Sequence, residues 1–297
     1  MKGCNVAIAA VLAAVALAAP AAPPEPHADA IADEILANVA KLKAADPLAE
    51  PMAFWDFDGT IVEGDISTGL VRDGKEVFPG LIRMAIEAGY SPVYRGKEGA
   101  DLFLDVEYPR FSKIGRWLAW PLIGQIFHGA DAEEMDRFCR RRAEETFAPW
   151  VFAASKRIID RLAAAGVENY IISGSPDIFV KPSACIAGIR RDRAVGIRTV
   201  AAGGRLTTQI VYPAPMNEGK VEVLRETMQE RPHAYAVAAF GNSYWTDGPF
   251  LEYVVSHPLP GGVKGIAMMV NGGTPPARYE GLFRCVGQKA TVGGPAE

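Results

Sequence analysis

Two aspartates two residues apart, Asp56 and Asp58, stand directly after the apolar run Met52-Ala53-Phe54-Trp55. That run has the composition of a buried strand. Carboxylates spaced in this way at a strand end can divide a reaction between them. One can attack a phosphorus atom and bind a cation, and the other can move a proton. Gly59 permits a sharp turn after them, and the Thr60 hydroxyl can fix it. The calcium-loop alternative fails on two positions. A loop beginning at Asp56 would need glycine sixth and glutamate twelfth, and has Ile61 and Ser67 there.

These residues need elements to hold them. Ile31 to Ala45 has helical spacing of apolar residues and a proline-containing link to the first strand. From about Ser67 to Trp150 the pattern is mostly helical and rich in aromatics and arginine. Strand and helix patterns then alternate. The spacing predicts a helix over Ala153 to Ala165 that stops at Gly166, a strand at Tyr170-Ile171-Ile172, and a helix with a kink near Pro182. A hairpin turning at Gly203-Gly204 follows. Next come a helix over Asn217 to Gln229, a buried strand from Ala234 to Phe240 ending at Gly241, and core elements at Phe250 to Val255 and Ile266 to Val270. Such alternation implies a parallel sheet covered on both faces. Ligands of these sheets bind beyond the carboxyl ends of the strands. That rule brings Asp56, Ser173 and the Gly241 segment to one edge, with the 67–150 block inserted over it as a cap.

Size and composition narrow the class. A chain of 297 residues with 49% hydrophobic and 22% charged residues is globular rather than disordered. A net charge of −4 argues against a protein built mainly to hold nucleic acid. Arg140-Arg141-Arg142 lies among Glu133, Glu134, Glu144 and Glu145, a solvated helix face of mixed sign. At the N-terminus, Lys2 precedes an unbroken apolar stretch from Val6 to Ala19, too short to span a bilayer comfortably. It fits a signal peptide, with Ala16-Leu17-Ala18 and Ala28-Asp29-Ala30 as cleavage candidates and an uncleaved anchor helix as the alternative. Export to a periplasm or secretion is expected, with no stable membrane span in the mature form. Cleavage would remove Cys4 and leave Cys139, Cys185 and Cys285, whose spacing gives neither a disulfide framework nor a zinc pattern. Buried structural thiols are the default for them.

Four segments occur in a telling order: Asp56-Phe57-Asp58-Gly59-Thr60, Ile172-Ser173-Gly174-Ser175-Pro176, Asn217-Glu218-Gly219-Lys220, and Gly241-Asn242-Ser243-Tyr244-Trp245-Thr246-Asp247. In this order and spacing the chain resembles the haloacid dehalogenase-like (HAD) superfamily, in the branch that includes phosphoserine phosphatase. The resemblance covers about Met52 to Val270. It implies an α/β fold, a Rossmann-like parallel sheet with helices on both faces and an inserted helical cap after the first strand. The corresponding division is 1–30 for signal and processing, 31–66 with 151–297 for the core, and 67–150 for the cap. It also implies Mg²⁺-dependent hydrolysis of a small phosphomonoester. In the family pattern Asp56 becomes an aspartyl-phosphate, while Asp58 protonates the leaving oxygen and later deprotonates water. Ser173, Gly174 and Ser175 offer a hydroxyl and free N–H groups to phosphate at a helix start. The Lys220 ammonium neutralises phosphate and the Asp56 carboxylate together.

The metal set the resemblance implies is Asp56, Asp58, Asn242 and Asp247, and it contains a departure. The family usually has aspartate directly after the glycine of the fourth segment; here Asn242 offers an oxygen without a charge. Catalysis with a raised Mg²⁺ requirement is the expectation. Asp65 stands nine residues after Asp56, where phosphoserine phosphatases carry a glutamate that contacts the substrate amine. A cationic substrate group is one reading of Asp65, and a carboxylate at the cap hinge is the other. The apolar stretch Ile114 to Phe127 is cap core, a substrate wall or a membrane-surface contact. Two alternatives to a phosphatase remain at this level: a phosphotransferase of the same fold, and a phosphate-ester binding protein with weakened catalysis.

Overall fold

The computed structural model describes residues 26–290. The Val6 to Ala19 stretch and the first cleavage candidate lie outside the described residues. The second candidate lies inside the first helix, where Ala28 is buried and Asp29 pairs with Arg157 and Arg161.

The elements run in chain order as α1 (Pro26–Ala45), β1 (Glu50–Trp55), β2 (Gly69–Arg72), β3 (Lys75–Pro79), α2 (Leu81–Glu87), α3 (Gly96–Asp101), α4 (Tyr108–Ile114), α5 (Arg116–Gln125) and α6 (Ala132–Arg142). There follow α7 (Ala153–Ala164), β4 (Glu168–Pro176), α8 (Asp177–Ser183), β5 (Ala194–Ala202), β6 (Arg205–Val211), α9 (Glu218–Met228), β7 (Ala234–Gly241) and α10 (Gly248–Ser256). The chain ends with β8 (Pro258–Leu259), β9 (Val263–Lys264), β10 (Ile266–Val270) and β11 (Arg284–Val286).

Seven strands form one sheet in the order β11-β10-β7-β1-β4-β5-β6. Every pairing in it is parallel except the terminal β5–β6 hairpin. β1 is central, and its side chains alternate between two cores. Ala53 and Trp55 pack on the side of α1 and α7, while Met52 and Phe54 pack on the side of α9 and α10. Burial on both faces explains why the strand is a continuous apolar run. Trp55 stacks on Phe240 of β7 and donates its indole N–H to Asn169 at 2.9 Å, so its one polar atom is satisfied. The chain runs outward from β1 to β4 and β5 on one side, then returns to β7 and β10 on the other. The topology therefore switches at β1, where the first carboxylates emerge.

The 67–150 segment leaves and re-enters the core at adjacent points. Val62 bridges to Val151, and the Phe152 N–H donates to the Ile61 carbonyl at 2.8 Å. The segment is helical from α2 onward, as expected, but it opens with the β2–β3 hairpin, which the helical expectation missed. The signal was present in Asp73-Gly74, both with positive φ, between paired Arg72 and Lys75. The arginine run ends α6 on an exposed face, with Arg140 and Arg142 paired to Glu144 and Glu145. Of the cysteines, Cys139 is buried as expected, whereas Cys185 is half-buried and Cys285 exposed. Among the described residues no helix is long and apolar enough to cross a membrane.

Candidate active site

The turn after β1 directs its two aspartates differently. The Asp56 N–H still belongs to the sheet, donating to the Phe240 carbonyl at 2.8 Å. Its carboxylate is buried, and Oδ2 accepts from the Thr60 hydroxyl at 3.1 Å. Gly59 has a φ of +72°, a conformation in which a side chain is strained. A Cβ there would also lie 2.0 Å from the Asn242 amide nitrogen, so glycine lets the first and fourth segments approach. Asp58 points the other way. Its Oδ1 accepts from the Ile66 N–H at 2.8 Å and its Oδ2 from the Ser175 hydroxyl at 2.7 Å. Ser175 accepts in turn from Ser67 at 2.9 Å. Ser67, at the start of the cap segment, carries no motif signal; only the fold brings it here.

On the far side, Lys220 is fully buried and donates to Asp56 Oδ1 and Asp247 Oδ1, each at 2.6 Å. Asn217 sets this up. It caps α9, and its amide donates to the Trp245 carbonyl at 2.9 Å, tying the third segment to the fourth. Asp247 Oδ2 accepts from the N–H groups of Asn242 and Ser243, both at 2.9 Å. Both oxygens of Asp247 are thus engaged by protein groups. It is buried behind Lys220 and is not part of the cavity lining. Away from the cavity lining, it holds Lys220 in place, where the fourth segment left open a metal contact made directly or through water.

The electrostatics follow from dryness and crowding. Burial, reinforced by the Asp247 charge, outweighs Lys220 and pushes Asp56 up to about 7. Burial, then the neighbouring Asp65 and Asp56 charges, raises Asp58 well above its ordinary value despite the donors from Ser175 and Ile66. Burial also raises Asp65. For Lys220, burial favours the neutral amine, but Asp247 and Asp56 prevail and its pKa ends above the ordinary lysine value.

These groups face a cavity of about 420 Å³. Asp56, Asp58, Gly174, Ser175, Lys220, Asn242, Ser243 and Thr246 line it from the core. Asp65, Ser67 and Thr68 line it from the hinge, and Tyr108, Ser112, Arg116, Trp120 and Ile123 from the cap. Trp120 lies against Gly174, where a Cβ would come within 2.6 Å of its ring. Ser173 is fully buried below the lining and accepts from the Ser175 N–H at 3.1 Å. It braces Ser175, and the cavity meets Gly174 and Ser175. Asp65 Oδ1 accepts from the N–H groups of Ser67 and Thr68, which is what a hinge carboxylate does. The apolar stretch divides: Ala119 and Ile123 are buried, Trp120 and Ile123 form cavity wall, and Ile114, Trp117 and Leu118 are exposed.

The donor set suits a hard cation. Asp56, Asp58 and Asp65 bring carboxylate oxygens to the lining and Asn242 an amide group, and sulfur and imidazole are missing from it. Among the described residues no three His, Cys, Asp or Glu side chains converge as a metal set.

A family model for haloacid dehalogenase-like hydrolases matches residues 53–252. No curated protein sequence matches the chain. Among solved structures, a protein of unknown function from Bordetella pertussis Tohama I is similar with a TM-score of 0.59 at 13% identity, covering 80% of this chain and 98% of that one. A conserved, functionally unknown protein from Anaerococcus prevotii gives 0.58 at 14% identity, with 89% and 95% covered. A cytosolic 5′-nucleotidase IIIB, bound to cytidine, gives 0.55 at 13% identity, with 88% and 85% covered. Likeness at these identities carries the fold.

Proposed function

The chain belongs to the haloacid dehalogenase-like hydrolases, and from that premise we propose that it is an exported phosphatase that hydrolyses a small organic phosphomonoester through an aspartyl-phosphate. One observation supports this above the others. A buried carboxylate, Asp56, is held by Lys220 at 2.6 Å on the wall of a cavity, and a second carboxyl, Asp58, whose pKa is raised by burial and by the Asp65 and Asp56 charges, lines the same cavity.

The chemistry divides accordingly. An Asp56 oxygen attacks phosphorus as the bond to the leaving oxygen breaks, and Asp58 gives its proton to that oxygen. A water then attacks the aspartyl-phosphate and passes a proton to Asp58, which frees phosphate and restores Asp56. Ser175 and the Ile66 N–H keep the Asp58 carboxyl in place through both steps. Gly174, on the cavity lining, would offer its N–H to a phosphate oxygen, while the Ser175 N–H is spent on the Ser173 hydroxyl. Asp56 and Asn242 would hold Mg²⁺, whose charge would cancel the repulsion between phosphate and nucleophile. The 67–150 cap excludes water from this charged site. Export rests on Lys2 and the apolar Val6 to Ala19 stretch, and sequencing the mature N-terminus tests it.

The decisive experiment is phosphate release from a panel of phosphomonoesters with Mg²⁺, beside Asp56→Asn. The wild type should turn over at least one ester, and the variant should lose about 10⁴-fold or more. Undiminished release by the variant, or no release from any ester at any Mg²⁺ concentration, would sink the reading. Added alcohols in the same assay reveal a phosphotransferase through alkyl phosphate products.

A further inference from the structure

Lys220 and Arg116 are the cationic side chains that line the cavity. Lys220 is fully engaged by Asp56 and Asp247. Arg116 has no carboxylate within ion-pair distance among the described residues. Its guanidinium lies instead over two indole rings, 4.6 Å from the Trp245 centroid and 5.6 Å from that of Trp120. The rings meet edge to face at 6.1 Å. Trp120 comes from α5 of the cap and Trp245 from the core loop after β7. The planar group is therefore fixed from both sides of the cavity. Cation–π contact with the rings restrains a guanidinium and spends none of its N–H donors. A pre-ordered fork of donors is what a carboxylate or phosphate takes in bidentate fashion. The Tyr108 and Ser112 hydroxyls line the same wall. The carboxylate at the hinge is less available to a ligand, because Asp65 Oδ1 is held by two N–H groups.

We infer that Arg116, held by Trp120 and Trp245, is the specificity-determining residue for a second anionic group, so that the substrates are phosphomonoesters whose leaving group carries a carboxylate or a further phosphate. This rests on the phosphatase reading for the word substrate, but its test does not depend on turnover. Calorimetric titration of the full mature protein with saturating Mg²⁺ would compare four non-hydrolysable probes: propylphosphonate, 3-phosphonopropionate, propane-1,3-bisphosphonate and 3-aminopropylphosphonate. At least one of the two acidic probes should bind about tenfold or more tightly than propylphosphonate, the size of one charge-assisted contact. The tighter of the two names the group. Arg116→Gln should remove that difference, and Trp245→Leu, which deletes no charge, should reduce it. Equal binding of acidic and uncharged probes, a preference for the amine, a preference that survives Arg116→Gln, or one that Trp245→Leu leaves unchanged would overturn the assignment. If the preference holds and no ester is hydrolysed, it is the phosphatase reading that fails.

Discussion

The two ends of the central sheet both carry clustered charge, and they treat it in opposite ways. At the amino ends of the strands, Glu50 and Glu168 share Arg193 and Arg231, and Tyr170 adds a hydroxyl. Carboxylates and guanidiniums match one for one and remain partly in solvent. At the carboxyl ends, Asp56 and Asp247 share the single ammonium of Lys220 in full burial, with Asp58 and Asp65 close by. The pKa directions record the difference. At Glu168 the cost of burial is outweighed by Arg231, Tyr170 and Arg193, so its pKa falls. At Asp56 burial and Asp247 outweigh the one lysine, so its pKa rises. One end is balanced and wet. The other is dry and short of positive charge, a deficit that a bound cation would relieve.

Removing the shared cation at each end probes this contrast most strongly. Lys220→Met strands two buried carboxylates and should cost about 3–5 kcal/mol, whereas Arg231→Met should cost roughly 1 kcal/mol. Denaturant titration of both variants decides the matter, and equal losses would erase the contrast. Next in size is Asn242→Asp. A third charged oxygen should lower the Mg²⁺ concentration needed for half-maximal activity by about tenfold. A metal titration showing no change would mean that residue 242 does not face the ion.

The pH dependence separates the ends by sign. Asp56 has its folded pKa raised from 3.8 to about 7. In metal-free protein its stabilising contribution is complete below the unfolded value and is lost as pH rises through about 7. Metal-free Asp56→Asn should therefore melt a few degrees above wild type at pH 8, with the gap closing toward pH 5. Scanning calorimetry at both pH values checks this, and a gap of the opposite sign would contradict the charge imbalance. Glu168 is the converse case, since its lowered folded pKa contributes stability above the unfolded value that is lost as pH falls. Glu168→Gln should cost only about 0.5–1 kcal/mol at pH 7, less in high salt. A larger, salt-insensitive loss would mean that this end is not solvent-screened.

Much of this was legible residue by residue. Met52 to Trp55 announced a doubly buried strand, and the helix over Asn217 to Gln229 and the strand ending at Gly241 lie where their patterns placed them. The β2–β3 hairpin was hidden because its strands are short and mostly exposed, without an apolar alternation. Ser67, Arg116 and Trp120 gave no signal because none belongs to a motif; each matters only through a partner distant in sequence, Ser175, Trp245 and Gly174 respectively. Asp247 was legible as a site residue but not in its office. Composition shows an acidic side chain, and only the fold shows it behind Lys220 and away from the cavity lining.

The local pattern of apolar runs, turn residues and paired carboxylates determined the family and the alternation of strands and helices in the core, and it put the four segments at one end of the sheet. Those properties follow from short-range preferences written along the chain. Folding alone decided that two carboxylates would share one lysine out of contact with water, that Ser173 would lie below the cavity while Ser175 faces it, and that a cap arginine would rest on a core tryptophan. Burial and charge pairing are properties of neighbours in space, and these neighbours stand up to 164 residues apart along the chain.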